Sequence, residues 1–384
     1  MKLAVIITHP IQYYSPLFVK LAKNSSIQLK VFYTLPQAKE QFYDIEFQKV
    51  IKWDIDLLDG YDYEFVKNIS PAPSSKKFFG TINPSLINKI KKWKAEAILV
   101  IGWKHYSFLR AMMYFKGKIP VLFRGDSHLL DSVNNFRFRL KKKFLSWVYS
   151  FVDYALYVGK ANKEYFKEFG LQEKQLIFAP HAIDNERFYD KNGEYEQKAR
   201  EWREQLGFND EDIVFLFAGK FIEKKNPVFL VENFLKIDNP NFKLLLVGNG
   251  PLENELKEMA KADKRIRFLP FQNQSVMPVV YRLGDVFLLP SIYNETWGLA
   301  INEAMASGRA VLASNKVGAS LDLVKNNVNG FVFKANDKED FWDKILRFNS
   351  ENISVFGKNS LKIIKEYSFD KIVNAIEHIA QYIE

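Results

Sequence analysis

Two carboxylates, Glu295 and Glu303, have the spacing and surroundings that most suggest chemistry in this sequence. On one continuous helix, a separation of eight residues turns through about 80°, so the two side chains would not share a face neatly. A helix that begins near Gly298 would instead leave Glu295 in the preceding loop, and both carboxylates could then point into one cleft. Free backbone N–H groups at that helix start would face an anion such as a diphosphate.

The two carboxylates then have separate uses. Glu303 could accept hydrogen bonds from two ribose hydroxyls, and Glu295 could meet the hydroxyls of a sugar. The pair taken alone is explained equally well as two solvated glutamates that bracket a helix start.

Two loops upstream also suit a phosphorylated ligand. Gly219, Lys220 and Lys225 follow an apolar run, and two ammonium groups at the end of a strand can neutralise a diphosphate leaving group. Gly248 and Gly250 form a Gly-x-Gly turn after another apolar run, which permits close approach of the backbone to a base or a phosphate. The ordinary alternatives are a solvated basic loop and a tight turn.

The elements that must position these loops are strands. Near-continuous apolar runs at 213–217, 243–247 and 286–289 are typical of strands covered on both faces. Similar runs in the first half, with helical patterns between several of them, lie at 3–8, 28–33, 97–102, 119–124, 153–157 and 175–178. This alternation predicts an α/β fold with parallel sheets, in which ligands lie beyond the carboxyl ends of the strands. The pattern pauses around 185–210, where we place a domain boundary.

Composition limits the classes of function. The chain has 384 residues, long enough for two α/β domains, and no cysteine, which excludes disulfides, thiolate metal sites and cysteine catalysis. Its net charge of +10 is compatible with nucleic acid, an anionic membrane or phosphorylated substrates as partners. The apolar run at the N-terminus stops at Pro10, so it is interpreted as a first strand rather than a signal peptide.

In their order along the chain, these motifs resemble the retaining nucleotide-sugar glycosyltransferases of family 4, in glycosyltransferase group 1. The residues that carry the resemblance, which is strong over about 210–335, are Gly219-Lys220, Lys225-Asn226, Gly248–Pro251, Pro290-Ser291 and Glu295–Glu303. Lys220 stands where the family usually has an arginine, so the positive charge is kept but the planar guanidinium group is lost. Residues 317–322 stand where the family often has Gly-Gly and Glu.

The resemblance implies the GT-B fold, with two Rossmann-like α/β/α domains facing across a cleft. The expected domains are an acceptor domain at 1–190 and a donor domain at 200–365, with the C-terminal helix at 368–384 packing back on the first. It further implies that Lys220 and Lys225 hold a diphosphate, that Glu303 holds the ribose and that Glu295 lies at the donor sugar. The full set of donor-binding residues implied is Gly219, Gly248, Gly250, Thr296, Trp297, Gly298, Leu299 and Glu303.

Residues at strand ends in the first half are candidates for the acceptor side. The candidates for contact with the acceptor are His9, Trp103 and Arg124. A structural role in a turn explains His9 equally well. Related enzymes have a polar residue or a histidine beside the reacting sugar near the position of Asp126 and His128. Both are catalytic candidates, and the sequence does not choose between them.

The implied activity is transfer of a hexose-type sugar from a UDP- or GDP-sugar to a glycan or lipid-linked acceptor, with retention of configuration. The expected setting is bacterial cell-surface polysaccharide, lipopolysaccharide or glycoconjugate synthesis, with no metal or other cofactor. Asp54-Ile55-Asp56 has the form of a manganese motif but lacks its context, and we interpret it as structural. The alternatives are another GT-B activity, such as an epimerase or a phosphorylase, or a non-catalytic sugar-binding protein.

The segment 134–149 has five basic residues and no acidic one. Leu140, Phe144, Trp147 and Val148 fall on one helical face, and we interpret that face as packing inward. The basic side still suggests peripheral contact with an anionic membrane, which would place a cytoplasmic protein at the inner face of the cell membrane. No nucleic-acid-binding motif accompanies the charge, so nucleic acid is not an expected partner.

Overall fold

The computed structural model describes residues 1–36, 42–44, 46–132 and 135–383. The strands are β1 (Lys2–Ile7), β2 (Gln28–Tyr33), β3 (Phe42–Asp44), β4 (Lys49–Ile51), β5 (Tyr63–Phe65), β6 (Ala97–Ile101), β7 (Val121–Arg124), β8 (Tyr154–Tyr157), β9 (Leu176–Phe178), β10 (Ile213–Ala218), β11 (Phe242–Val247), β12 (Ile266–Leu269), β13 (Val286–Leu289), β14 (Ala310–Ser314) and β15 (Gly330–Phe333).

The α-helices are α1 (Ser15–Ala22), α2 (Leu86–Trp93), α3 (Tyr106–Phe115), α4 (Phe136–Tyr149), α5 (Lys160–Glu168), α6 (Asn185–Phe188), α7 (Glu194–Gln205), α8 (Pro227–Phe234), α9 (Glu253–Ala260), α10 (Met277–Arg282), α11 (Leu299–Ala306), α12 (Ser320–Leu323), α13 (Lys338–Ile345), α14 (Ser350–Ile364) and α15 (Phe369–Ile383). Short 3-10 turns lie at Phe78–Gly80, Glu173–Gln175 and Glu223–Lys225.

The chain forms two compact units. Unit 1 consists of Met1–Phe42, Asp56–His181 and Phe369–Glu384, and unit 2 of Tyr43–Ile55 and Ala182–Ser368. The change of unit after His181 precedes the pause in the sequence pattern at 185–210. The segment 43–55, which the sequence analysis assigned to the first domain, is part of unit 2.

Unit 1 is built on a seven-stranded sheet in the order β5-β2-β1-β6-β7-β8-β9. Every neighbouring pair is parallel. The central strands are apolar and covered on both faces, so that Val5 and Val100 are fully buried. The C-terminal helix α15 belongs to this unit, where Asp370 pairs with Lys20 at 2.7 Å and Glu377 accepts a hydrogen bond from Asn24 at 2.7 Å.

Unit 2 is built on a six-stranded parallel sheet in the order β12-β11-β10-β13-β14-β15. The chain moves outward from β10 to β12 and then returns to β13 on the other side of β10. The predicted α/β class with two parallel sheets is therefore confirmed. Among the described residues, no helix is long and apolar enough to cross a bilayer.

Helix α4 corrects one interpretation from the sequence. Of the four residues expected to pack inward, only Val148 is buried, while Leu140, Phe144 and Trp147 are 52%, 44% and 45% exposed. The helix instead turns Leu145, Val148 and Tyr149 toward the core. At about 100° per residue, Leu145 and Tyr149 lie roughly 140–180° around the helix from Leu140 and Trp147, so the helix cannot bury both groups against one sheet.

Candidate functional site

The strand order of unit 2 reverses between β10 and β13. Parallel α/β sheets bind their ligands at such a reversal, beyond the carboxyl ends of the two strands. The loop that follows β10 contains residues 219–225, and the loop that follows β13 contains residues 290–298. Both sequence motifs with charged side chains therefore lie at the position in the sheet where a ligand is expected.

The second loop is fixed in shape by Gly298, which precedes α11. Its φ of +93° is left-handed, and a Cβ there would lie 2.9 Å from side-chain atoms of both Leu289 and Val317. The loop is also held from the side, because Gly318 N donates to Glu295 O at 3.0 Å and Ala319 N donates to Trp297 O at 2.9 Å. The helix start predicted at this glycine is therefore rigidly placed.

The residues predicted to bind a donor at this helix start have different surroundings. Trp297 is 3% exposed, and its indole N–H donates to Asn302 Oδ1 at 2.8 Å, so the ring braces the first turn of α11. Leu299 is the first helical residue, and Thr296 lies in the loop before it. The backbone N–H groups of this first turn are the part of the segment suited to an anion.

Lys225 and Glu295 form an ion pair that joins the two loops. The Lys225 Nζ lies 2.5 Å from Glu295 Oε2, and the side chains are 17% and 10% exposed. Ser291 donates its hydroxyl to the same oxygen at 3.1 Å. Burial alone would raise the pKa of Glu295, but the ammonium groups of Lys225 and Lys224 and the Ser291 hydroxyl hold that pKa below its ordinary value. Glu295 is therefore a carboxylate at neutral pH.

Glu303, on α11, has the opposite electrostatic character. It is 3% exposed, and its Oε2 accepts a hydrogen bond from the Tyr281 hydroxyl at 2.6 Å. Its Oε1 is buried and has no hydrogen-bond partner within the described part of the chain. Burial raises the pKa of Glu303 to about 7, against the hydrogen bond from Tyr281 and the charge of Arg187. A hydroxyl-bearing ligand would supply the missing donor.

Lys220 does not share the partners of Lys225. Its Nζ lies 3.0 Å from Asp44 Oδ2 and 2.6 Å from Glu46 Oε2, and it lies over the Phe47 ring at 4.9 Å. Burial would raise the pKa of Asp44, but the hydrogen bond from Lys220 lowers it. The two lysines that the sequence grouped together therefore face two different sets of carboxylates.

The glycines of the Gly-x-Gly turn serve the packing of one loop on another. A Cβ on Gly248 would lie 1.9 Å from the carbonyl oxygen of Gly219, and one on Gly250 would lie 2.6 Å from that of Phe221. Both have φ near +150°, which also favours glycine. The turn thus supports the loop that carries Lys220, and direct contact with a ligand stays a prediction.

In unit 1, the predicted residues at the end of β7 surround the segment 179–181. Arg124 is 2% exposed and donates to the carbonyls of Ala179 at 2.7 Å and Pro180 at 2.8 Å. Asp126 Oδ2 lies 3.8 Å from His181 Nε2. Arg124 therefore contacts the backbone of its own unit, and an acceptor contact for it stays a prediction.

The remaining candidates of unit 1 have mixed surroundings. His128 accepts a hydrogen bond from Leu130 N on its Nδ1 at 3.2 Å, whereas Asp126 faces His181, and the catalytic choice between Asp126 and His128 stays open. Burial lowers the pKa of His9, with His105 nearby contributing. The ring of Trp103 packs edge-on against Phe144 at 5.5 Å.

Several residues around these groups carry no signal in the sequence that would indicate their position. Tyr281 on α10, and Asp44 and Glu46 far upstream, belong to no motif, and only three-dimensional packing brings them to Glu303 and Lys220. Ser291 was part of a motif but was given no role. Asp54 accepts hydrogen bonds from Ser275 N at 3.1 and 3.2 Å, in keeping with the structural interpretation of that segment.

The C-terminal part of the chain matches a known family. Residues 198–368 match the family described as glycosyl transferases group 1. Over 285 residues the chain is 27% identical to the UDP-Gal:alpha-D-GlcNAc-diphosphoundecaprenol alpha-1,3-galactosyltransferase of Escherichia coli, covering 68% of this chain and 71% of that one. It is 24% identical to the alpha-monoglucosyldiacylglycerol synthase of Acholeplasma laidlawii, covering 80% and 86% of the two chains.

Solved structures share the fold over the whole length. A glycosyltransferase from Rickettsia africae ESF-5 superposes with a TM-score of 0.76 at 17% identity, covering 100% of this chain and 98% of that one. Anabaena HepE, in complex with UDP and glucose, superposes with a TM-score of 0.72 at 16% identity over the whole of both chains. At these identities the likeness concerns the fold alone.

Proposed function

We propose that this chain, a glycosyltransferase with a group 1 C-terminal half, transfers a hexose-type sugar from a UDP- or GDP-sugar to a glycan or lipid-linked acceptor with retention of configuration. Unit 2 binds the donor. The setting we propose is synthesis of a bacterial cell-surface polysaccharide, lipopolysaccharide or glycoconjugate.

The observation that carries the proposal is the pairing of Lys225 with Glu295 at the strand reversal of unit 2, together with a buried Glu303 on the helix α11 that follows the second loop. A nucleotide sugar needs a cation for its diphosphate and acceptors for the hydroxyls of its two sugars. Lys225 supplies the first, and the two glutamates supply the others. The unpartnered Oε1 of Glu303 suits a ribose hydroxyl, since a buried carboxylate oxygen without a donor is unfavourable.

The mechanism follows from where charge develops. As the bond to the sugar breaks, negative charge grows on the diphosphate, and the ammonium of Lys225 and the first-turn N–H groups of α11 stabilise it. Glu295 remains ionised and accepts hydrogen bonds from the sugar. The acceptor hydroxyl attacks on the face that the diphosphate leaves and gives its proton to the phosphate. We assign no protein nucleophile, and none of these steps uses a metal.

The relatives support an acceptor attached to a lipid. The name of the Escherichia coli relative specifies an acceptor on diphosphoundecaprenol. The name of the Acholeplasma relative specifies a glucosyl diacylglycerol as the product. The name of the Escherichia coli relative also specifies a UDP-linked sugar, which supports a uridine donor. An acceptor embedded in a membrane would require the enzyme to approach the lipid surface.

Helix α4 is the surface we propose for that approach. Phe136 is 72% exposed, and with Leu140 and Trp147 it forms a stripe within about 40° around the helix at 100° per residue. Arg139 and Lys143 fall beside this stripe. Apolar side chains flanked by cations are suited to the interface of an anionic bilayer. The proposed location is therefore the cytoplasmic face of the cell membrane.

Nucleotide binding and turnover test the donor assignment. Titration calorimetry with UDP, GDP and ADP, followed by transfer assays with the corresponding hexose donors, identifies the base. Lys225→Met and Glu303→Gln each weaken nucleoside diphosphate binding by about tenfold, since a charge-assisted hydrogen bond is worth about 1.5–3 kcal/mol. Lys261→Met and Glu258→Gln are matched controls from an exposed ion pair of the same unit. Equal affinities for the site and control variants would refute the donor site.

A further inference from the structure

The segment 43–55 is fastened to unit 2 at its far end. Asn273 donates to the carbonyl of Lys52 at 2.7 Å, and Asp54 accepts from Ser275 N at 3.1 Å. Nearer its start, Phe47 packs edge-on against Phe271 at 5.0 Å. These contacts are between residues of a single compact unit. They bring the acidic residues at the start of the segment to the loop that follows β10.

Asp44 and Glu46 hold Lys220 from this segment, and we name the two residues the acidic clamp. Their carboxylates lie 3.0 and 2.6 Å from Lys220 Nζ, with side chains 19% and 47% exposed against 25% for Lys220. Asp44 is itself oriented, because its Oδ1 accepts from Glu46 N at 2.9 Å and Phe47 N at 3.1 Å. One ammonium therefore faces two carboxylates, which leaves a net negative charge at this point.

We propose that the acidic clamp competes with the donor diphosphate for Lys220, so that donor binding displaces Asp44 and Glu46 from the lysine. The inference rests on the proposed function, in which a diphosphate binds beside this loop. A diphosphate and two carboxylates at one ammonium would repel each other strongly at separations near 3 Å. Phe47, Lys52 and Asp54 hold the segment through contacts that do not use the clamp carboxylates, so Asp44 and Glu46 can leave Lys220 while these contacts persist.

Competition of this kind acts only on ligands that reach Lys220. A nucleoside diphosphate offers Lys220 at least as much negative charge as the clamp does, whereas a nucleoside monophosphate, which has one phosphate fewer, is expected to reach one cation fewer. The clamp thus costs a diphosphate some affinity and leaves the binding of a monophosphate nearly unchanged. Its removal is expected to tighten diphosphate binding and to widen the difference in affinity between the two classes of nucleotide.

Removal of the clamp charges tests this expectation. We expect Asp44→Asn/Glu46→Gln to bind the preferred nucleoside diphosphate about three- to tenfold more tightly than the wild type, as partly exposed ion pairs contribute no more than about one tenfold step. Glu258→Gln/Glu339→Gln removes the same charge from exposed ion pairs of unit 2 and leaves the affinity unchanged. Unchanged or weaker binding by the clamp variant overturns the proposal; weaker binding would mean that the carboxylates help to hold the ligand.

A spectroscopic readout follows the segment itself. The chain has no cysteine, so Val50→Cys places one unique label on β4, and Val355→Cys places one on α14 as the control. The two valines are 52% and 53% exposed. A saturating nucleoside diphosphate should change the emission of an environment-sensitive dye at position 50 and leave position 355 unaffected. Because β3, which ends at Asp44, pairs with β4, displacement of Asp44 changes the surroundings of position 50, and an unchanged signal there contradicts displacement.

The two proposals fail in different ways. If the wild type binds a nucleoside diphosphate through Lys225 but the clamp variant and the label at position 50 show no effect, the clamp alone is wrong. If the wild type binds no nucleoside diphosphate, the proposed function is wrong, and the proposal that the clamp competes with the diphosphate is wrong as well.

Discussion

The ammonium of Lys225 and the carboxylate of Glu295 lie 2.5 Å apart, although 70 residues of chain separate them. The pair joins the loops that follow the two strands at which the sheet order of unit 2 reverses. It does two things at once: it keeps Glu295 ionised in a buried position, and it fixes a cation where a diphosphate would lie. Under the proposed function, stability and donor binding are therefore coupled at these two residues.

Breaking this pair from either side should have unequal effects on stability. Lys225→Met leaves a buried carboxylate without its cation and should lower the free energy of unfolding by about 2 kcal/mol, below the range for a fully buried pair. Glu295→Gln should cost less, because Lys225 can turn toward water. The double variant should recover stability and remain inactive. Denaturant unfolding and sugar transfer measure the two properties separately; additive losses of stability would contradict the coupling.

Glu303 should make the protein less stable at high pH. Its folded-state pKa of about 7 exceeds the ordinary value of 4.5, so the unfolded chain releases this proton first as the pH rises. The stability it contributes is thus complete below about pH 4.5 and is lost by about pH 7. The free energy of unfolding of the wild type should therefore fall between pH 4.5 and pH 8 by up to about 3 kcal/mol more than that of Glu303→Gln.

The same substitution should weaken donor binding, and the pH dependence of binding provides a second check. Ribose hydroxyls donate better to a carboxylate than to a carboxylic acid. Wild-type affinity for a nucleoside diphosphate should therefore rise as the pH passes through about 7. The terminal phosphate of the nucleotide also titrates in this range, but a glutamine side chain does not, so the step should be smaller in Glu303→Gln than in the wild type. Steps of equal size in the two proteins would assign the whole pH dependence to groups other than Glu303.

Gly298 should tolerate no side chain. Gly298→Ala combines a left-handed φ of +93° with contacts of 2.9 Å to Leu289 and Val317. Gly207→Ala is the matched control, because its φ is +76° and the space around its Cβ is open. The control should lose about 1 kcal/mol from backbone strain alone. Gly298→Ala should lose more and should also weaken nucleotide binding; equal losses in thermal unfolding would show that the crowding is relieved at no cost.

Helix α4 should bind anionic lipid. Wild-type protein should float with vesicles that contain phosphatidylglycerol and not with pure phosphatidylcholine. Leu140→Ser/Trp147→Ser should reduce the bound fraction severalfold, while Leu346→Ser/Val355→Ser, at residues 56% and 53% exposed on unit 2, should not. Equal flotation of the two variants would exclude the apolar stripe as the binding surface.

The sequence predicted the parts of this protein that depend on neighbours along the chain. Buried apolar runs identify β10, β11 and β13 because strands covered on both faces have almost no polar positions. Gly298 marks the start of α11 for the same local reason, since its conformation disfavours every other residue. Glu295 and Glu303 could therefore be placed on a loop and a helix before their partners were known.

The rest depends on contacts between distant parts of the chain. Nothing near Asp44 indicates that it meets Lys220, 176 residues later. Tyr281 similarly reaches Glu303 only because α10 and α11 pack together. For α4, periodicity identified an apolar stripe, but this helix carries apolar residues on two sides, and only the packed structure shows which side the core covers.

Unit 1 is assembled from segments on both sides of most of unit 2 in the sequence. Its α15 is held by Lys20 of α1 and by Asn24, which follows α1. During synthesis, the ribosome delivers all of unit 2 when residue 368 emerges, while unit 1 still lacks α15. The unit encoded first is therefore finished last, and its contacts between residues about 350 positions apart form only after α15 has emerged. Until then, the surface of α1 that α15 covers is open to chaperones.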